Sequence, residues 1–134
     1  MTESKLTTVW PLVRYKDARA ALRFLADAFG FEIAEVHPPD EGPVAHAVVR
    51  WPLGGGVMVS SEGGGGDPMF ENRPPTGQQS VYVVTDEPDA LHDRAVAAGA
   101  EIARPLRDED YGSRGFTARD PEGNLWSFGT YTGG

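Results

Sequence analysis

The chain has 134 residues, enough for one compact domain with its own core, and its hydrophobic and charged contents are those of a globular protein. Twelve Lys and Arg against twenty Asp and Glu leave a formal charge of −8, which argues against a nucleic-acid surface and against an anionic membrane surface. With no Cys, disulfides, thiolate zinc sites and Cys nucleophiles are excluded.

The opening segment MTESKLTT lacks the basic start and apolar run of a secretory signal. No apolar run approaches membrane-spanning length. A cytoplasmic protein with neither a nucleic-acid nor a membrane partner is expected. The first strand is expected within TTVWPLVRY, residues 7–15, where β-branched and aromatic residues gather. A helix follows, with Asp17 as N-cap, since its carboxylate can accept from the first free N–H groups. Ala21, Leu22, Leu25, Ala28 and Phe29 form an apolar stripe at helical spacing, and Gly30 suits the left-handed terminal position. Three strands are expected at about 31–37, 44–51 and 56–61.

Residues 62–77 are dense in Gly and Pro and lack hydrophobic period. No Lys-Ser/Thr follows the glycines and no helix opens after them, so a mobile loop is expected and a phosphate cradle is not. A second strand–helix unit begins at QQSVYVVT, residues 78–85, with Asp86 as N-cap, Leu91, Ala95 and Ala98 as the apolar stripe, and Gly99 at the helix end. Strands are expected at about 101–106, 114–119 and 124–131. The last two are joined by the turn Asp120-Pro121-Glu122-Gly123-Asn124, in which Pro presets one φ and Gly accepts a positive one.

The two halves match at a constant offset of 69 residues: Asp17 with Asp86, Leu22 with Leu91, Gly30 with Gly99, Glu32 with Glu101, Arg50 with Arg119 and Gly54 with Gly123. One offset kept over that distance points to two copies of a βαβββ unit, about 5–61 and 78–131. The fold class is α+β: two tandem βαβββ modules in a single domain, forming a curled mixed sheet around a cleft.

Alternation assigns faces. Ala47, Val49 and Trp51 are the more apolar set of their strand and are expected to pack on a helix. His46, Val48 and Arg50 then lean to the other side, as does Ser127, which lies between Trp126 and Phe128. His46 has the chemistry of a general base but equally that of an ordinary half-exposed strand residue. His37 and His92 are expected to be solvated.

The tandem units, the Asp…Phe-Gly-Phe-Glu of the first helix and the closing Asp-Pro-Glu-Gly-Asn-Leu-Trp resemble the vicinal oxygen chelate superfamily of glyoxalase I, extradiol dioxygenases and bleomycin-resistance proteins. The resemblance implies a cleft in which metal-using members hold an ion with side chains of the first and last strands of each module. The resemblance implies Trp10 and Gln79, seven before each capping Asp, and Met58 and Ser127 in the last strands for those positions, and both pairs keep the offset of 69. Indole, thioether and hydroxyl groups are poor donors for a hard divalent ion, so no metal and no cofactor is expected. Trp10, Leu12, Met58, Val81 and Val83 would form a largely apolar cleft floor, with Ser60, Gln79, Ser127 and His46 as scattered polar groups. The resemblance therefore implies a metal-free, homodimeric binding protein of the bleomycin-resistance kind, sequestering an antibiotic or another aromatic or cationic ligand. A glyoxalase-like lyase, isomerase or dioxygenase is the alternative, as is a metal-free enzyme using His46 or Glu62.

Overall fold

A computed structural model describes residues 8–62 and 76–133. The first module contains β1 (Leu12–Tyr15), a helix made of α1 (Ala18–Phe24) and a π-helical turn (Leu25–Phe29), β2 (Glu32–His37), β3 (His46–Arg50) and β4 (Gly56–Ser61). The second contains β5 (Ser80–Val84), α2 (Pro88–Ala97), β6 (Glu101–Asp108), β7 (Arg114–Arg119) and β8 (Leu125–Gly129). Each module forms a four-stranded mixed sheet, in the orders β1-β4-β3-β2 and β5-β8-β7-β6. The first and last strands of a module run parallel and the other neighbours antiparallel. The class is α+β with tandem βαβββ modules, and the sheets do not close. Most of the expected mobile loop lies outside the described residues.

Helices and sheets share one hydrophobic cluster drawn from both modules. Every member of the first expected stripe is buried in it, whereas in the second module Leu91 and Ala95 are buried and Ala98 is exposed. Asp17 caps the first helix by accepting from the Ala20 N–H at 3.1 Å. Gly30 closes that helix with φ of 86°, a region where a Cβ is disfavoured. The second helix departs from the expected pattern. Its N-cap is Glu87, which makes no side-chain cap bond, and Pro88 stands at the first helical position. Pro fits there because that N–H has no partner in a helix. The Glu87 N–H is instead satisfied by the Thr85 hydroxyl at 3.1 Å.

This corrects the register of the repeat. Glu87 lies 70 residues after Asp17, while Gly99 lies 69 after Gly30. The first module therefore carries one extra residue between helix start and helix end. The π-helical turn takes it up, with the Gly30 N–H reaching the Leu25 carbonyl five residues back as well as that of Ala26, and the Phe31 N–H also donating to Leu25. Wide turns of this kind accommodate an extra residue without breaking the helix. The matches Asp17/Asp86 and Leu22/Leu91 are chance; Val13 corresponds to Val83 and Tyr15 to Thr85, all four buried.

The modules meet at the start of the sheets and along the helices. The Tyr15 hydroxyl donates to buried Asp120 at 2.6 Å. The Trp51 indole N–H donates to the Val84 carbonyl at 2.7 Å, and the Gln79 amide to the Leu12 carbonyl at 3.0 Å. Arg94 donates to the Ala26 and Asp27 carbonyls at the end of the first helix, each at 3.0 Å. Phe29, from the first module, rests on Trp126 and Phe128 of the second with ring centroids 6.0 and 4.7 Å away.

Candidate functional site

One face of each sheet packs on the helices; the opposite, open face carries the candidate site. On the first sheet, Leu12, Met58, Val48 and Glu35 are successive cross-strand neighbours and share that face. Trp10 lies one row away, over Gly56: a Cβ there would sit 3.1 Å from the indole. The Arg50 guanidinium stands 5.6 Å from the Trp10 ring centroid, a cation–π distance. Ser60, two residues beyond Met58, pairs with Arg14 on the same face and is nearly buried. His46 is half-buried, opposite His37 on β2, and their rings stack with centroids 6.2 Å apart. Trp10, Leu12, His46, Met58 and Ser60 are thus brought onto one face.

On the second sheet a single row crosses all four strands: Tyr82, Ser127, Thr117 and Arg104. Ser127 shares its hydroxyl with Thr117 at 2.7 Å. The adjacent row is Val84, Gly129, Gly115 and Arg107. A cavity of about 150 Å³ lies over these rows, with Tyr82, Tyr111, Arg104 and Glu109 around it and Ser127 and Thr117 in its floor. The Tyr82 phenol, raised in pKa chiefly by burial, donates to the Tyr131 carbonyl at 2.7 Å.

The extra residue in the first helix changes which second-module residues lie here. Val81 is opposite Trp126 and Val83 opposite Phe128, both of which are buried in the core. Val81 and Val83 therefore face the helix side and do not share a face with Ser127, because a one-residue change of register reverses every side chain. Val81 instead borders an apolar cavity of about 360 Å³ at the junction, with Pro11, Trp51, Leu53 and Val57. Gln79 precedes β5 and reaches to the Leu12 carbonyl. The counterpart of Trp10 is Ser80. Tyr82, Arg104 and Tyr111 were missed by the sequence reading; the alternation in RGFTAR and LWSFG, with Gly115 opposite Gly129, is the signal that marks their floor.

His92 was expected in solvent, yet it is half-buried and meets Phe116 edge-on at 5.2 Å between centroids. The Asp120 turn is a structural junction. Its carboxylate accepts from the Tyr15 hydroxyl, the Trp126 indole N–H, the Asn124 amide and the Glu122 and Asn124 backbone N–H groups, all at 2.6–3.1 Å.

The side chains present do not suit the divalent ion that metal-using members of such a fold hold. Trp10 has no ligand atom to offer and Met58 offers only a soft thioether. The Ser127 hydroxyl is engaged by Thr117, and the Gln79 amide is directed to Leu12. Among the described residues, no three His, Asp or Glu side chains are grouped to hold a metal.

Known proteins of the same shape include TioX from Micromonospora sp. ML1, 31% identical, with a TM-score of 0.71 over 91% of this chain and 98% of that one. The lactoylglutathione lyase of Agrobacterium tumefaciens, 19% identical, superposes with a TM-score of 0.68 over 94% of this chain and 95% of its own, a likeness of fold. An uncharacterised protein of Mycobacterium bovis is 32% identical over 117 residues, spanning 84% of this chain and 76% of its own length. The family model described as Glyoxalase/Bleomycin resistance protein/Dioxygenase superfamily matches residues 7–128. With the tandem sheets, the chain belongs to that superfamily.

Proposed function

We propose that the protein is a metal-independent binder that sequesters a small aromatic molecule, an antibiotic among the candidates, on the open faces of its two sheets. The reading is carried by Trp10, Met58 and Ser127, which stand where the resemblance implies metal ligands and offer an indole, a thioether and a neutral hydroxyl. An apolar and aromatic surface with a few placed hydroxyl, amide and guanidinium groups is the chemistry of a ligand site. The net charge of −8 favours cationic ligands at long range. Near the site, arginines and glutamates alternate, as in Arg50 opposite Glu32 and Arg119 bound to Glu101 at 3.0 Å, so aromatic character is the better-supported part. Cytoplasmic location and assembly as a homodimer complete the proposal by analogy with the family.

Binding is tested by titrating a library of planar aromatic compounds and following tryptophan emission. Ligands seated beside Trp10 should quench the wild type, and the quench should largely vanish in Trp10→Phe. In parallel, Mn, Ni or Zn should leave the melting temperature nearly unchanged, because only binding to the folded state raises it. Stoichiometric stabilisation by metal, together with turnover of a glyoxalase-type substrate that a chelator abolishes, would replace this reading with the lyase, isomerase or dioxygenase alternative.

A further inference from the structure

The cavity over the second sheet has a directional character. Tyr82 stands at one end of its cross-strand row and Arg104 at the other, with the hydroxyls of Ser127 and Thr117 between them. Beside those hydroxyls, Gly129 and Gly115 are cross-strand partners and place no side chain on the floor. A Cβ at Gly129 would lie 2.9 Å from the Tyr82 hydroxyl and 3.2 Å from that of Ser113, so the missing side chain is what lets the Tyr82 phenol lie down over Gly129. Tyr82, half exposed, thus walls one end of the row, and Tyr111 is a second aromatic side chain at the rim. Aromatic rings favour offset or edge-to-face approach to such a wall. At about 150 Å³ the cavity is smaller than the roughly 300–1,000 Å³ of sites for drug-sized molecules, which limits it to one ring system.

The charge at the far end is positive. Glu109 is the one acid among the lining residues, and it serves two guanidinium groups, 3.2 Å from Arg107 and 3.6 Å from Arg104. One carboxylate between two guanidiniums leaves a surplus positive charge. The nearby Arg114 is shared by Asp89 and Asp108, at 2.8 and 3.3 Å, so that neighbouring group carries one surplus negative charge and the positive surplus is local to Arg104 and Arg107. Arg104 makes the longer contact and remains half exposed, so its donors are the ones open to an incoming group. A planar carboxylate or similar anion matches the guanidinium fork.

We propose that this shelf on the second sheet binds a flat aromatic molecule carrying an anionic group, with the ring over Ser127 and Thr117 beside Tyr82 and the anion at Arg104. The inference rests on the binding function proposed above and assigns it a ligand class of the same sign as the chain's own net charge, held by a local guanidinium against the long-range field. The Ser127 and Thr117 hydroxyls, already bonded to each other, retain one further donor for a ring substituent.

The test uses three probes on one ring frame: 2-naphthoate, 2-naphthamide and 2-naphthylmethylammonium. Each is titrated into the whole protein and followed by the fluorescence anisotropy of the probe. The naphthoate should bind about tenfold more tightly than the amide, the size expected of a charged hydrogen bond at a half-exposed site, and the ammonium should bind most weakly. Arg104→Gln should abolish the preference while leaving the amide affinity within about twofold. Gly129→Ala should weaken all three together, because its methyl group would displace the Tyr82 phenol that walls the site. Melting curves check that both variants are folded. Equal binding of the three probes, a preference that survives Arg104→Gln, or no binding of any probe would overturn the inference. The binding function itself is judged separately, by Trp10 quenching and the response to metal.

Discussion

Tyr15 and Asp120 are 105 residues apart in sequence and joined by a 2.6 Å hydrogen bond. Both are buried. Burial is the main cause, and the Asp120 charge the second, of a Tyr15 pKa raised far above the ordinary phenol value. The folded state thus prefers the neutral phenol more strongly than the unfolded state does. That preference is fully effective below the unfolded pKa of about 10 and is lost as pH rises beyond it. Stability should therefore fall above about pH 10, by up to about 1.4 kcal/mol per pH unit from this group. Urea denaturation at pH 9 to 11 should show a slope that is shallower in Tyr15→Phe than in the wild type. Identical slopes would mean that Tyr15 ionises without unfolding the junction. The sequence identified DPEGN as a turn and did so correctly. It gave no sign of the five donors that converge on Asp120, because three of them come from side chains whose direction only the fold determines.

The extra residue in the first helix belongs to the next scale. From Gly30 and Gly99 onward the halves keep the offset of 69, and Met58 and Ser127 occupy like places opposite Val48 and Thr117. Upstream of the π-helical turn the offset is 70, and the sequence concealed this. A wide turn has no Gly or Pro to announce it, and the accidental alignment of Asp17 with Asp86 bridged the gap. Trp10, Leu12, Met58 and Ser127 were still assigned to the open face, while Val81 was assigned one position out of phase. If the turn is an absorbed insertion, removing it should be tolerated. Deletion of exposed Asp27 should cost no more than about 2 kcal/mol, the range of an ordinary substitution. Deleting exposed Asp93 from α2 should cost clearly more, since it rotates Ala95 out of the core. Urea midpoints of the two deletions decide the matter; equal losses would deny the turn that role.

At the scale of the whole molecule, the modules are joined through side chains and through a shared core. Trp51 lies against Phe31 and Phe128, with ring centroids 4.9 and 5.8 Å away, and Trp126 meets Phe29 and Phe31. Two of the three tryptophans therefore report on the junction. Unfolding in urea should give coincident midpoints by tryptophan fluorescence and by far-ultraviolet circular dichroism, as one cooperative unit requires. An earlier fluorescence transition would show the halves parting before their sheets melt. Class, module order and most strand positions were legible in the sequence because hydrophobic alternation and the repeat both carry them. The overall charge of −8 was a poor guide to the open face, where charge is set by individual pairs.

The wide turn also bears on descent. A chain made by doubling one unit begins with halves that are the same length, and a one-residue gain that the helix absorbs without disturbing the strands on either side leaves little pressure to remove it. The helix ending at Gly30 carries such a gain and the helix ending near Gly99 does not. It is a birthmark of the leading half. A relative bearing it in the trailing half would have gained it independently or would descend from an ancestor whose halves had exchanged order.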